Sequence, residues 1–159
     1  SPMPTYLILT GFVLGGVVRG IIVGFLVLLT SLIFTDITVQ NIPLTLFVVV
    51  MTAFLFSIAG FLNALFADNF DDINIVPTFI LTPLIYLGGV FYSVELLSNT
   101  WQIVSKANPL LYMVNAFRYG MIGVSDINVQ FALLMIIIFI IAFFLLAYYL
   151  LKKGYGIRS

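Results

Sequence analysis

The stretch VQFALLMIIIFIIAFFLLAYYLL, residues 129–151, carries no charged residue, no proline and no glycine. A helix needs about 20 apolar residues to cross the hydrocarbon core of a bilayer, and this run supplies them without a break. A membrane β-strand would show a short alternating segment instead. The stretch therefore predicts a transmembrane helix, and it ends on the basic tail KKGYGIRS, residues 152–159.

The rest of the chain agrees with that environment. Of 159 residues, 63% are hydrophobic and 8% are charged, against about 25% charged in a typical soluble domain. The mean hydropathy is +1.25. So few charges cannot cover a water-facing surface, and the composition is that of an integral membrane protein. The formal net charge is zero, which gives no field for attracting nucleic acid. Cysteine and histidine are both absent. Their absence excludes a disulfide framework, most zinc, haem and iron–sulfur sites, and histidine-based acid–base chemistry. The opening SPMPTYLILTG is neither a charged signal-peptide n-region nor an initiator methionine. It reads as the C-terminal part of a longer protein, or as a trimmed form.

Hydropathy divides the chain into four expected spans, at about 15–34 (with an extension back toward Tyr6), 42–66, 75–94 and 129–151. TDITVQN (35–41) is a short polar connection, and ADNFDDIN (67–74) holds three of the six acidic residues. Four spans put both termini on one side. That side has Lys152, Lys153 and Arg158, with Arg19 if it snorkels back, against Lys106 and Arg118 on the other. The excess of basic residues places the tail in the cytoplasm.

Residues 95–128 are neither plainly loop nor plainly span. SNTWQIVSKA opens with helix-capping residues and carries Trp101, a natural interfacial anchor. NPLLYMVNAFRYGMIG then starts on Asn108 and Pro109, a capping side chain followed by proline at the first helical position. After it Leu110, Met113, Val114, Phe117 and Met121 recur at helical spacing, with Asn115 and Arg118 elsewhere on the wheel. Two short helices with an Asn–Pro break fit a re-entrant hairpin on the outer side, since non-helical backbone at depth needs protein around it. The alternative is an amphipathic helix resting on the headgroups. The overall expectation is an all-α membrane protein of about four spans plus this hairpin, forming one transmembrane domain over residues 1–159.

Enzyme chemistry finds little footing. GxxxxGK[ST] does not occur, so no P-loop is expected on this chain. Asp68, Asp71 and Asp72 lie in a polar loop and read as a solvated turn. GVSD (123–126) places a serine after glycine with no histidine to activate it. Ser105 and Lys106 are adjacent, so on a helix they point about 100° apart. The glycines are more informative. Gly16, Gly20 and Gly24 fall at spacings of four, which lets membrane helices approach closely. Arg19 lies among them; at mid-membrane it would cost several kcal/mol, so it should snorkel or find a partner. Arg118, within an apolar helix, likewise needs a fixed partner, and Glu95 is the nearest candidate by type.

TPLIYLGGVFYSVE (82–95) combines Pro83, which removes a backbone donor, with Gly88 and Gly89, which remove side-chain bulk. Membrane helices tolerate both beside a cavity or a moving part. The pattern predicts a helix built to bend or pack closely at its outer half, leaving the membrane at Glu95.

In its order, P…LGGVFYSVE…W…NPLLYMVNAFRYG resembles the signature region of the ABC-2 type permeases, nearest the YadH-like and nodulation-factor-exporter (NodJ-like) branch. The resemblance is strongest from residue 77 to 123 and rests on Pro83, Gly88, Gly89, Glu95, Pro109 and Arg118. SPMP, with Pro2 and Pro4, is similar to the end of that family's cytoplasmic coupling segment. In one place the chain departs from the pattern: the family commonly has proline after the Glu–Leu pair, where this chain has Leu97 and Ser98. The resemblance implies a permease with six spans per subunit, of which these would be the third to sixth. It also implies a homodimer in the bacterial inner membrane, and a separate ATPase subunit that binds ATP and magnesium, with no cofactor on this chain. It implies export, of a cargo the residues do not identify. An ion-coupled carrier or channel is the competing class; it would place ionisable groups within the spans, where only Arg19 stands.

Because the chain lacks cysteine, single cysteines report topology directly. An impermeant thiol reagent applied to intact cells is expected to label a cysteine at Asn99 and to spare one at Asn74; the reverse pattern would invert the assigned orientation.

Overall fold

The computed structural model describes residues 4–66, 81–82, 85, 99–100, 103 and 106–153. Four helices stand out among them: α1 (Thr5–Phe34), α2 (Ile42–Phe66), α3 (Pro109–Ile122) and α4 (Val129–Lys152). Three of these, α1, α2 and α4, are long and apolar enough to cross a membrane. At about 1.5 Å per residue they measure about 45, 37 and 36 Å, against a hydrocarbon core of about 30 Å. The expected span at 75–94 lies outside the described residues, apart from Leu81, Thr82 and Ile85; Leu81 and Ile85 pack against the core described next.

The helices start where asparagine makes starting cheap. Asn41 Oδ1 accepts the Leu44 N–H at 3.1 Å. Asn108 Oδ1 accepts that of Leu110 at 3.0 Å, with Pro109 in the first turn, and Asn128 Oδ1 accepts that of Phe131 at 3.1 Å. Each asparagine satisfies a donor that has no partner within its helix. α1 starts differently: the Pro4 carbonyl accepts from Leu7 and Ile8, with no side-chain cap. α4 ends on Lys152, a cation that complements the helix dipole, and Lys152 and Lys153 lie 5.9 and 4.8 Å from the ring centroids of Tyr148 and Tyr149.

α2 and α4 run parallel and form the centre. At the end where both begin, α3 packs antiparallel to them, burying Leu111, Tyr112, Met113 and Ala116 with Val48 of α2 and Ala132 and Ile136 of α4. At the opposite end the first half of α1 takes that place, burying Leu9, Val13 and Val17 with Ile58, Phe61, Ala147 and Leu151. α1 is thus one uninterrupted helix from Thr5, and its first turns put one face, Leu9 and Val13, into the protein core. Leu9, Val13 and Val17, four residues apart, are the reason: they form one stripe that α2 and α4 cover. Arg19 is exposed, and so is nearly all of α1 beyond Val17.

The α1–α2 crossing is close at Gly16. A Cβ there would stand 2.8 Å from Ser57 Cβ, and the space lets Ser57 Oγ donate to the Val13 carbonyl at 2.9 Å. At Gly20 a Cβ would be 3.4 Å from Ala53 Cβ, whereas Gly24 has nothing within 4 Å. Gly16→Ala should therefore lower the thermal unfolding temperature in detergent, by an amount equivalent to about 1–3 kcal/mol. Gly24→Ala should leave it unchanged, and Ser57→Gly should recover part of the Gly16→Ala loss. Equal behaviour of the two glycine variants would refute this account of the crossing.

Candidate functional site

At about 1.5 Å per residue, α3 rises about 21 Å, too little to cross the core of a bilayer. Its 14 residues nonetheless include some of the most deeply buried in the protein. Tyr112 lies between Phe131 (ring centroids 5.9 Å apart, edge-on) and Phe139 (6.3 Å) of α4, and its hydroxyl donates to the Lys106 carbonyl. Lys106 itself is exposed.

Asn115, fully buried, organises the turn that follows. Its Nδ2 donates to the Leu111 carbonyl at 2.8 Å. Its Oδ1 accepts the Asp126 N–H at 2.9 Å and faces Ser125 Oγ at 3.4 Å. Ser125 Oγ closes the turn on Ile127, donating to its carbonyl at 2.7 Å and accepting from its N–H at 3.2 Å. The fixed turn presents the Asp126 carboxylate to Arg118, with Nη1 3.6 Å from Oδ2.

The end of α3 is tied to the start of α2 as well. Gly123, at φ 78°, gives its N–H to the Tyr119 carbonyl at 2.8 Å, a left-handed cap that glycine adopts without strain. Asn41 and Gln40 donate their N–H groups to the carbonyls of Gly120 (2.9 Å) and Met121 (3.2 Å). Gly120 permits this approach; a Cβ there would stand 3.2 Å from the Thr45 backbone nitrogen.

Beside this knot, α2 and α3 enclose an open groove of about 720 Å³. Val48, Thr52 and Phe56 line it from α2, and Met113, Val114 and Phe117 from α3, with Gly20 of α1 at its edge. Arg118 is the charged residue among the groove's lining residues.

A family model described as ABC-2 type transporter matches residues 1–122 of this chain. The chain belongs to the ABC-2 type transporter family. It is also 48% identical over 159 residues to proteins named "Inner membrane transport permease YadH" from Escherichia coli (strain K12), Escherichia coli O157:H7 and Shigella flexneri. Those alignments cover 100% of this chain and 62% of each relative, so the chain spans less than two thirds of their length. No solved structure matches. The ABC-2 match stops at Ile122, the last residue of α3, while the identity to the relatives continues through the Asn115-bound turn and α4.

The structure brings several sequence candidates together and separates others. Asn108 and Pro109 begin α3, Arg118 faces both the groove and Asp126, and Gly16 and Gly20 face α2. Gly24 faces open space and Pro4 precedes α1. Pro2, Pro83, Gly88, Gly89, Glu95 and Trp101 lie outside the described residues. The stripe Leu110, Met113, Val114, Phe117 and Met121 lines the open groove, and two of its members, Leu110 and Met113, are also buried in the core with Leu111, Tyr112, Asn115, Ala116 and Gly120. Both sides of the helix carry apolar residues, so periodicity alone does not say which of them meet protein. The roles of Asn115, Ser125, Asp126 and Gly120 were not assigned from the sequence. The available signals were the asparagine inside an apolar helix, which needs internal partners, and the turn composition of GVSDIN.

Replacing Asn115 with leucine keeps the branched shape, at a larger volume, but deprives the Asp126 N–H of its acceptor. The expected loss is about 1–3 kcal/mol, with faster hydrogen exchange at Asp126. Asn128→Ala, which removes only a helix cap, should cost about 1 kcal/mol and leave that amide protected. Unchanged exchange at Asp126 in Asn115→Leu would exclude the role given to this amide.

Proposed function

We propose that this chain forms part of the translocation pathway of a permease subunit in an ATP-driven exporter of the bacterial inner membrane. The observation that carries the reading is the ABC-2 match over residues 1–122, extended by 48% identity along the whole chain to proteins named inner membrane transport permeases. ATP hydrolysis is assigned to a separate subunit, where ATP and magnesium would bind, and the permease is taken to act as a homodimer within lipid. Residues 108–123 enter the bilayer from the outer side as the second arm of a re-entrant hairpin. The burial of so short a helix between two long ones supports that placement. Pro83, Gly88 and Gly89 are proposed as a bend beside the pathway, and Pro2 and Pro4 as part of the cytoplasmic coupling segment.

The competing class, an ion-coupled carrier or channel, needs ionisable side chains inside the spans. In α1, α2 and α4 the charged residues are Arg19, which is exposed, and Lys152, in the last turn of α4. That inventory favours a pathway energised from outside the chain.

The purified polypeptide alone is expected to show no ATP turnover, and full-length protein drawn from its native membrane should bring an ATPase subunit with it. Turnover by the isolated polypeptide, or purification to homogeneity as an active transporter with no ATPase, would overturn the assignment.

A further inference from the structure

The groove between α2 and α3 has a length, a chemistry and an orientation that together specify an occupant. From Leu110 to Arg118 its α3 wall rises about 12 Å, most of one leaflet's share of a hydrocarbon core about 30 Å thick. Its walls are almost wholly apolar. The chain itself leaves the groove open, because α1 parts from α2 beyond Gly20, which forms its rim; a Cβ at Gly24 would have no neighbour within 4 Å. In a bilayer such a slot is filled, since an empty one forfeits dispersion contact along both walls. A convex helix face meets lipid tails that exchange freely, whereas a slot holds one chain between two walls.

Charge narrows the choice. Arg118 is the charged residue of the lining and sits one turn before the end of α3. Just beyond it lies the polar end of the bundle, with Asp36, Gln40 and Asn128 exposed or partly exposed. Arg118 is therefore at headgroup level when the apolar walls are at tail level. Asp126 Oδ2 lies 3.6 Å from Arg118 Nη1, and Asp126 is not among the residues lining the groove. A guanidinium is planar and presents its donors as a fork suited to phosphate.

We propose that this groove binds a single anionic phospholipid from the leaflet that α3 enters, one acyl chain lying between α2 and α3 and the phosphate meeting Arg118. The site requires only that the helices lie in a bilayer, and stands whether or not the chain works with an ATPase.

The test uses the full chain reconstituted in bilayers, with Trp101→Phe to remove the native tryptophan. A reporter tryptophan replaces Phe117 in the groove or Phe25 on the exposed face of α1. Quenching is measured with dibrominated phosphatidylglycerol and with dibrominated phosphatidylcholine. At position 117 the anionic lipid should be preferred about five-fold, the ratio given by about 1 kcal/mol per basic residue at an anionic lipid surface. At position 25 no preference is expected. Arg118→Gln should reduce the preference at 117 to the level at 25, and Arg118→Lys should retain most of it. Unchanged quenching at position 25 in both variants shows that they insert normally. Equal quenching by the two lipids at 117 overturns the proposal, as does a preference that survives Arg118→Gln. So does the absence of quenching at 117, which would mean that protein, such as a second copy of the chain, covers the groove.

Discussion

The carbonyls at the end of α3 have no partners within their own helix, and the surrounding structure is arranged to supply them. In hydrocarbon an unsatisfied backbone group costs several kcal/mol, so a helix that ends near or inside the bilayer must end against protein. Gly123 closes on Tyr119, and Asn41 and Gln40 close on Gly120 and Met121. These bonds require the backbone of α2 to come within van der Waals contact of α3, which explains a glycine at position 120, and they require a left-handed residue at 123. The α1–α2 connection is therefore a donor strip for a helix about 80 residues further along the chain.

Once that end is fixed, the remaining geometry follows. α3 must lie antiparallel on the α2–α4 pair, which brings Tyr112 against Phe131 and Phe139 and buries Asn115 where its amide can hold the following turn. The held turn delivers Asp126 to Arg118. α3 occupies one end of the α2–α4 pair and the first half of α1 occupies the other. Beyond Gly20, α1 has no such support, and the slot between α2 and α3 stays open beside it. The groove is thus a consequence of two helices sharing one pair of neighbours end to end. Its one lining cation is placed by the same turn that closes α3.

Membrane insertion and helix starts were legible in the sequence because both are local. A run of apolar residues such as 129–151 has one stable form in lipid, since only a helix satisfies its backbone within the segment. Asn108 before Pro109 marks a start because capping involves residues two or three positions apart. Family membership was legible for a related reason: Pro109, Arg118 and their neighbours keep their order along the chain whatever the packing. Which face of α3 meets protein was not legible. In water apolar means buried, but in a membrane an apolar side chain can face protein, lipid or a groove at similar cost. Leu110, Met113, Val114, Phe117 and Met121 share one helical period, yet Leu110 and Met113 are buried while Val114, Phe117 and Met121 are half-buried or exposed along the groove.

The pairing of Arg118 shows the same division. Charge inventory demanded a carboxylate and pointed to Glu95, which lies outside the described residues; among the described residues Asp126, eight along, also faces Arg118, delivered by a turn whose geometry depends on Asn115. The sequence alone determined that this chain is helical, that it lies in a membrane, where its capped helices begin and to which family it belongs. Each of these follows from solvent, from neighbours a few positions apart, or from residue order. Only the tertiary structure decided that Gly120 and Gly123 admit Thr45 and Gln40, that Asn115 is a core residue, and that Arg118 lines an open apolar groove between α2 and α3. Those features depend on contacts between segments tens of residues apart, whose register is set by the supply of backbone donors and by close packing.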